Sequence, residues 1–294
     1  MHKFDMFVPN DLPDLLEYLD SHQTGVQLIA NGSDLINRIQ RRELRPKVFA
    51  DLSGLSELNY VKREGRTVKI GALTTIADLA ASPLLDSRYA VFREVAAKFG
   101  APPIRNVATV GGNICAASSS EDLLPVLLVL DAKVRVKSRT GERILRLDEF
   151  LRSKRKIDLK GNEILVETTF QEIDEDSSCA FEKIGMRNSL IIALVSSAVY
   201  LKVDRKTGFA NEVRIAFNRV AGKIPARARV TEEVLRGKIL NSQLIEKAAS
   251  ALHEELRLSS DFRVKEEYRS EVACVLFKRA LERCLERLMG RKIV

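Results

Sequence analysis

Two short segments place glycine and small polar residues where a chain would leave a strand and begin a helix. The first is the run Leu28-Ile29-Ala30-Asn31-Gly32-Ser33-Asp34-Leu35. Asn and Gly favour a left-handed turn, and the first N–H groups of a helix lack internal partners and can bind a phosphate. An ordinary strand-to-helix turn with a Ser or Asp cap explains the same residues. Phosphate binding is therefore a hypothesis for this segment.

The second segment is Thr109-Val110-Gly111-Gly112-Asn113, which lies about 80 residues further along the chain. Two adjacent glycines allow a ligand to approach the backbone closely, and successive N–H groups in such a loop form an anion-binding nest. We expect residues 109–120 to form a loop that leads into a helix beginning at Asp122. A carboxylate at that position suits sugar hydroxyls better than phosphate. The alternative is a Gly-Gly loop with an ordinary helix cap.

Other catalytic motifs are absent from the sequence. It contains no GxGxxG or GxxxxGK[ST] phosphate loop and no GxSxG or HExxH motif, which disfavours kinases, Rossmann dehydrogenases, serine hydrolases and zinc proteases. The three histidines are scattered, and no two cysteines form a CxxC pair. We therefore expect free thiols and no metal site in this chain. The cysteines are Cys115, Cys179, Cys274 and Cys284.

Composition indicates a globular protein. Of 294 residues, 45% are hydrophobic and 30% are charged, and no apolar run approaches the roughly 18 residues of a membrane helix. No apolar signal-peptide region follows Met1, so a cytoplasmic location is expected. The net charge of +8 could indicate nucleic-acid binding, but acidic and basic residues are interleaved and Trp is absent. A basic surface that meets acidic partner subunits explains the charge better than nucleic acid does.

Hydrophobic periodicity predicts the elements that position these segments. A helix over residues 11–22, a strand over 26–30, a helix over 34–42 and a strand over 48–52 form a parallel βαβ unit. The pattern changes near residue 58, and a polar run at 174–178 marks a second boundary. Beyond it we expect three strands and three helices, the last of which carries an apolar stripe for core packing. The stripe consists of Ala273, Leu276, Phe277, Ala280, Leu281, Cys284 and Leu288.

Together these segments resemble the FAD subunits of molybdenum hydroxylases, the family of xanthine dehydrogenase and carbon monoxide dehydrogenase flavoproteins. Residues 104–114 are similar to the second flavin-binding loop of that family, and residues 30–35 are similar to its first loop, commonly AGG[TS]DL. Further similar runs occur in the family's order over almost the whole chain. They are Asp51-Leu52-Ser53, Ile70-Gly71-Ala72-Leu73-Thr74-Thr75, Ser82-Pro83-Leu84-Leu85, Phe181-Glu182-Lys183-Ile184-Gly185-Met186-Arg187 and Glu267-Tyr268-Arg269.

The resemblance implies an α+β architecture. Two subdomains of the vanillyl-alcohol-oxidase (PCMH) type would clasp FAD, and a three-stranded antiparallel sheet with a helical bundle would follow. The corresponding domains are residues 1–57 (the βαβ subdomain), 58–175 (the second FAD-binding subdomain) and 176–294 (the C-terminal CO-dehydrogenase-flavoprotein-like domain).

The resemblance also implies roles for individual residues. Residues 28–35 and 109–113 would hold the pyrophosphate from two sides, and Asp122 would contact the polyol and adenosine side of FAD. Phe99 matches a position near the adenine, and Leu165 matches one on the strand before the linker. Lys183 matches a lysine close to the flavin ring, where a cation would stabilise the reduced flavin. For Phe99 and Leu165 the alternative is core packing, and for Lys183 it is a surface charge.

The function implied by the resemblance is electron transfer through non-covalently bound FAD. A small subunit would carry [2Fe–2S] clusters, and a large subunit with molybdopterin would hydroxylate the organic substrate. FAD would pass electrons to NAD⁺ or another acceptor, in an assembly expected to be a dimer of heterotrimers. The sequence departs from the family pattern at Asn31, Ala116 and Ser119. These departures leave open a cofactor-free structural subunit that retains the fold.

Overall fold

The N-terminal part of the chain is a small parallel sheet with two helices. The computed structural model describes residues 3–22, 24–187, 192–219, 225–258 and 260–290. Strands pair in the order β1-β3-β2, and both pairings are parallel, which confirms the predicted βαβ unit. The elements are β1 (Asp5–Phe7), α1 (Leu12–Ser21), β2 (Val26–Ile29), α2 (Leu35–Gln40) and β3 (Val48–Asp51).

Helix α1 forms where its sequence predicts it. The Asp11 side chain caps the helix by accepting the Asp14 N–H at 2.8 Å, and Pro13 lies in the first turn, where its missing N–H has no cost. The stripe of Leu15, Leu16 and Leu19 is buried against the sheet.

A five-stranded antiparallel sheet follows, in the order β4-β5-β10-β6-β7. Its strands are β4 (Val61–Glu64), β5 (Thr67–Gly71), β6 (Lys133–Ser138), β7 (Gly141–Arg146) and β10 (Ile164–Gln171). A short hairpin separates β7 from β10 and consists of β8 (Leu151–Ser153) and β9 (Lys156–Ile157). The helices of this part are α3 (Ile76–Ala81), α4 (Ala90–Lys98), α5 (Pro102–Arg105), α6 (Val110–Ala116), α7 (Leu123–Val129) and α8 (Leu147–Phe150).

One prediction for this part is wrong. Residues 110–116, expected to lie in a loop, form helix α6 with the two glycines in its first turn. The Thr109 side chain provides the cap by accepting the Gly112 N–H at 3.0 Å. Glycine is a poor helix former, so a local reading favours a loop, whereas burial of Val110 and Ile114 in the core holds the helix in place.

The C-terminal part is an antiparallel sheet covered on one side by helices. The three predicted strands are present, and a fourth strand of two residues pairs with the last of them. The strands are β11 (Ser177–Ile184), β12 (Val195–Val203), β13 (Ala210–Phe217) and β14 (Ala226–Arg227). The helices are α9 (Arg229–Leu235), α10 (Ser242–Glu255) and α11 (Glu266–Met289), and every member of the predicted α11 stripe is buried.

The second and third sheets share one hydrophobic core. Side chains from β11, β12 and β13, including Phe181 and Tyr200, pack into the same cluster as α4, α6 and α7. Every residue of α7 is buried, because the helix packs against β12, β13, α6 and α8. No helix of the described residues has the length and apolar character needed to cross a membrane.

Candidate functional site

The first glycine segment connects β2 to α2 through a left-handed residue, as predicted. Gly32 has φ +73°, and a Cβ atom there would lie 2.7 Å from Ile36 Cγ1. Both the left-handed backbone and this close contact favour glycine at the position. Asn31 itself does not adopt the left-handed conformation. Its side-chain amide instead donates a hydrogen bond to the Val107 carbonyl at 3.0 Å. Asn31 therefore connects the first glycine segment to the chain just before the second.

The second glycine segment does not form the predicted anion-binding nest. The N–H groups of Val110, Gly111 and Gly112 donate to Thr74 O, Ala72 O and Thr109 Oγ1 at 2.9, 2.8 and 3.0 Å. The Asn113 N–H donates to Thr109 O at 2.9 Å. All four donors have partners within the protein, so this helix start offers a ligand close backbone approach but no free N–H group.

The two adjacent glycines of α6 have different neighbours. A Cβ atom on Gly111 would lie 2.7 Å from Ala72 O and 2.8 Å from Ala72 Cβ. Gly111 is therefore required for the helix to pack against the chain that follows β5. A Cβ atom on Gly112 would meet only Thr109 Oγ1, at 2.8 Å. Gly112 also lines the cavity described next.

The two glycine segments face a common cavity of about 270 Å³. Strand β2, the chain after β5 and the segment 157–165 form its other walls. Of the residues predicted from the sequence, those that line it are Leu28, Ala30, Asn31, Gly32, Ser33, Asp34, Leu35, Thr109, Gly111, Gly112 and Leu165. The structure thus brings together two segments that the sequence places about 80 residues apart.

Six predicted residues lie outside this lining. Val110 is buried in the core and Phe99 is partly buried against it, while Ile29 lies in β2. Asn113, Asp122 and Lys183 belong to a separate buried cluster. Lining residues that sequence reasoning missed include Arg38, Cys115, Lys160 and Glu163. None of them stands in a recognisable motif, and only the Lys160-Gly161-Asn162 turn signal points to a loop there.

The separate cluster is built around a buried ion pair between α7 and β11. The Lys183 ammonium contacts Asp122 Oδ2 and donates to the Lys98 carbonyl at 2.9 Å. The side chains of Lys183 and Asp122 are only 1% and 9% exposed, so Lys183 is not the surface charge that one sequence interpretation allowed. Burial raises the pKa of Asp122 to about 6, and the nearby Lys183 charge only partly offsets this.

Two buried oxygens of this cluster have no hydrogen-bond donor. Among the described residues, nothing donates to Asn113 Oδ1 or Asp122 Oδ1. Asn113 donates its amide N–H to the Glu121 carboxylate. An unpaired buried acceptor is costly, and the hydroxyl groups of a polyol would supply the missing donors. Neither Asn113 nor Asp122 lines the cavity, so the polyol contact expected for Asp122 stays a prediction.

Burial raises the pKa of Glu121 from 4.5 to about 8, and the neighbouring Asp122 and Asp34 carboxylates add to the effect. The folded chain therefore binds this proton more tightly than the unfolded chain does. Its contribution to stability is complete below about pH 4.5 and is lost as the pH rises toward 8.

The unfolding free energy of wild type should fall between about pH 5 and pH 8 as Glu121 loses its proton. In Glu121→Gln we expect this fall to be smaller by about 1 to 3 kcal/mol. Urea unfolding at both pH values measures this, with the exposed Glu149→Gln as the control. An unchanged pH dependence in Glu121→Gln would contradict the assignment.

Comparisons with known proteins identify two family domains in the chain. Residues 2–170 match the FAD binding domain in molybdopterin dehydrogenase, and residues 180–284 match the CO dehydrogenase flavoprotein C-terminal domain. The chain is 30% identical to the nicotinate dehydrogenase FAD-subunit of Eubacterium barkeri over 99% of both chains. It is 26% identical to the carbon monoxide dehydrogenase medium chain of Hydrogenophaga pseudoflava, over 95% of this chain and 96% of that one.

A solved structure of Cu,Mo-CO dehydrogenase contains a chain of the same fold, with a TM-score of 0.91 at 26% identity over 98% of this chain and 99% of that one. The fold and the two family matches thus define an FAD-binding domain followed by a flavoprotein C-terminal domain. The chain belongs to the family of FAD-binding subunits of molybdopterin dehydrogenases and is an oxidoreductase subunit. Relatives in this family are medium or FAD subunits of larger dehydrogenases.

Proposed function

We propose that this chain holds FAD in the cavity between its two glycine segments and passes electrons from a [2Fe–2S] subunit to NAD⁺ or another acceptor. The observation that carries the proposal is the convergence of these segments on one cavity within an FAD-binding family fold. Asn113 and Asp122 lie outside the cavity lining, and a contact between their donor-free oxygens and the ribityl hydroxyls of the cofactor is a further part of the proposal. FAD supplies the redox chemistry when bound, and the protein orients it.

Different residues would contact different parts of the cofactor. The lining residues of both glycine segments, together with Leu165, would contact the cofactor directly, since they form the cavity walls. Asp122 and Asn113 would accept hydrogen bonds from the polyol, and Lys183 would hold Asp122 in its charged form by pairing with it. Ile29, Val110 and Phe99 would support these residues through packing.

The proposed assembly extends beyond this chain. A molybdopterin-containing large subunit would oxidise the organic substrate, and a small [2Fe–2S] subunit would carry electrons to this chain, in a cytoplasmic dimer of heterotrimers. Residues 1–57 and 58–175 would clasp the cofactor, and residues 176–294 would form the third domain. The support is the set of medium-chain and FAD-subunit relatives over nearly the full length.

The chain should bind one FAD without a covalent bond. Cys115 is the cysteine that lines the cavity, and burial raises the pKa of its thiol to about 12, so it lacks the thiolate needed to attack a flavin. Purified protein should show flavin absorbance that moves entirely to the supernatant after acid precipitation. Cys115→Ser should behave identically, whereas yellow colour that stays with the wild-type pellet would contradict the proposal.

A cofactor-free structural subunit is the second candidate. It is favoured by the α6 start, where all four N–H groups already have acceptors in the protein. The same absorbance measurement separates the two candidates, because a structural subunit remains colourless even after incubation with excess FAD.

A further inference from the structure

The cavity lining contains equal numbers of acidic and basic side chains, and no sequence motif marks them. Its lining includes two carboxylates, Asp34 and Glu163, and two cations, Arg38 and Lys160. The thiol of Cys115 is neutral because burial raises its pKa to about 12. The net charge that a ligand meets therefore depends on how each carboxylate is paired.

Both carboxylates are neutralised by arginines that lie outside the lining. Arg155 holds Asp34 through two bonds, Nη1 to Oδ2 at 2.7 Å and Nη2 to Oδ1 at 3.2 Å. Arg143 holds Glu163 in the same forked manner, Nε to Oε1 at 2.9 Å and Nη2 to Oε2 at 2.8 Å. Such paired forks are strong and geometrically specific, so each carboxylate makes its shortest side-chain contacts with an arginine outside the lining and not with a lining cation.

Among the described residues, the side chains of the two lining cations donate no hydrogen bond to a carboxylate. Arg38 lies 3.9 Å from both Asp34 and Glu43, and its buried Nε has no hydrogen-bond acceptor among the described residues. Lys160 uses its backbone N–H to contact Glu163 at 2.8 Å, and its ammonium forms no ion pair within the described part of the chain. The cavity thus presents two positive charges, one on α2 and one on the segment between β9 and β10.

We infer that Arg38 and Lys160, which line the cavity from two different segments, bind the diphosphate of the cofactor. A dinucleotide diphosphate carries one negative charge on each phosphate, which matches the two lining cations in number. The start of α6 cannot supply this charge, because its N–H groups have partners within the protein. This inference rests on the proposed function and assigns the phosphate contacts to side chains outside both glycine segments.

The test compares FAD with riboflavin, which shares the ring and the ribityl chain but has no phosphate. Apo protein is titrated with each ligand, and the dissociation constant is read from flavin fluorescence. Lys160→Ala and Arg38→Ala should each weaken FAD binding about 10- to 100-fold, the range expected for a charged hydrogen bond. Riboflavin binding should change less than about twofold, since it lacks the charged group that these residues recognise.

Two matched variants complete the design. Lys156→Ala removes an exposed lysine of β9 that does not line the cavity and should leave FAD binding unchanged. Lys160→Arg keeps the charge and should retain most of the affinity. Added salt should weaken FAD binding by wild type more than by the double alanine variant, because salt screens the charges that the variant lacks.

The outcomes separate this inference from the proposed function. If wild type binds FAD but the alanine variants lose nothing, or lose FAD and riboflavin affinity equally, or keep the wild-type salt dependence, the inference is wrong and the proposed function stands. If wild type binds no FAD, both are wrong.

Discussion

Lys183→Met should lower the free energy of unfolding by about 3 to 5 kcal/mol at pH 8, because it leaves the buried Asp122 carboxylate without its counter-charge. The loss should shrink as the pH falls. Asp122 has a raised pKa of about 6 even beside Lys183, and removing the lysine raises it further, so acid protonates and neutralises the stranded carboxyl in the folded chain. Urea unfolding at about pH 5 and pH 8 measures both effects.

A matched pair provides the control for this prediction. Lys98 pairs with Glu182 at 2.7 Å, but its side chain is 34% exposed, so Lys98→Met should cost only about 0 to 1 kcal/mol. The double variant Lys183→Met with Asp122→Leu should recover much of the stability, since no unpaired buried charge remains. If Lys183→Met and Lys98→Met lowered the unfolding free energy equally, the buried pair would contribute no more to stability than the exposed pair, and the prediction would be wrong.

Gly111→Val should lower the free energy of unfolding by about 3 kcal/mol, because the added side chain would overlap Ala72 and force α6 away from the chain after β5. The position is helical and buried, so the cause is overpacking and not a left-handed backbone. Loss of FAD should accompany the loss of stability, since Gly111 and Gly112 of α6 line the cavity. Thermal or urea unfolding of the apo chain isolates the stability effect.

Gly141→Val is the matched control for Gly111→Val. Gly141 begins β7, and a Cβ atom there would meet no heavy atom within 4 Å. Its unfolding free energy should change by no more than about 0.5 kcal/mol. A Gly111→Val protein that unfolds like wild type would mean that α6 is free to shift, and the packing argument would then fail.

Periodic patterns predicted the elements whose burial depends on one face. The α1 leucines and the α11 stripe are buried as expected, because a helical period of apolar residues has one energetically favourable orientation. The left-handed turn at Gly32 was also predictable, since it depends on the local conformational freedom of glycine. Residue type alone, however, did not separate the role of Gly32 from that of Gly111.

The order of the motifs was enough to determine the family and its general fold, because this order is read directly from the amino-acid sequence. Only the tertiary structure decided how charge is distributed around the cavity. Asp34 meets Arg155 across 121 residues, and Lys183 meets Asp122 across 61. Pairing at such separations depends on how sheets and loops pack, and no local pattern encodes it. For the same reason the sequence suggested free N–H groups at Gly111 and Gly112. In the folded chain these groups donate to Ala72 and Thr109, and Arg38 and Lys160 are the lining cations whose side chains donate no hydrogen bond to a described carboxylate.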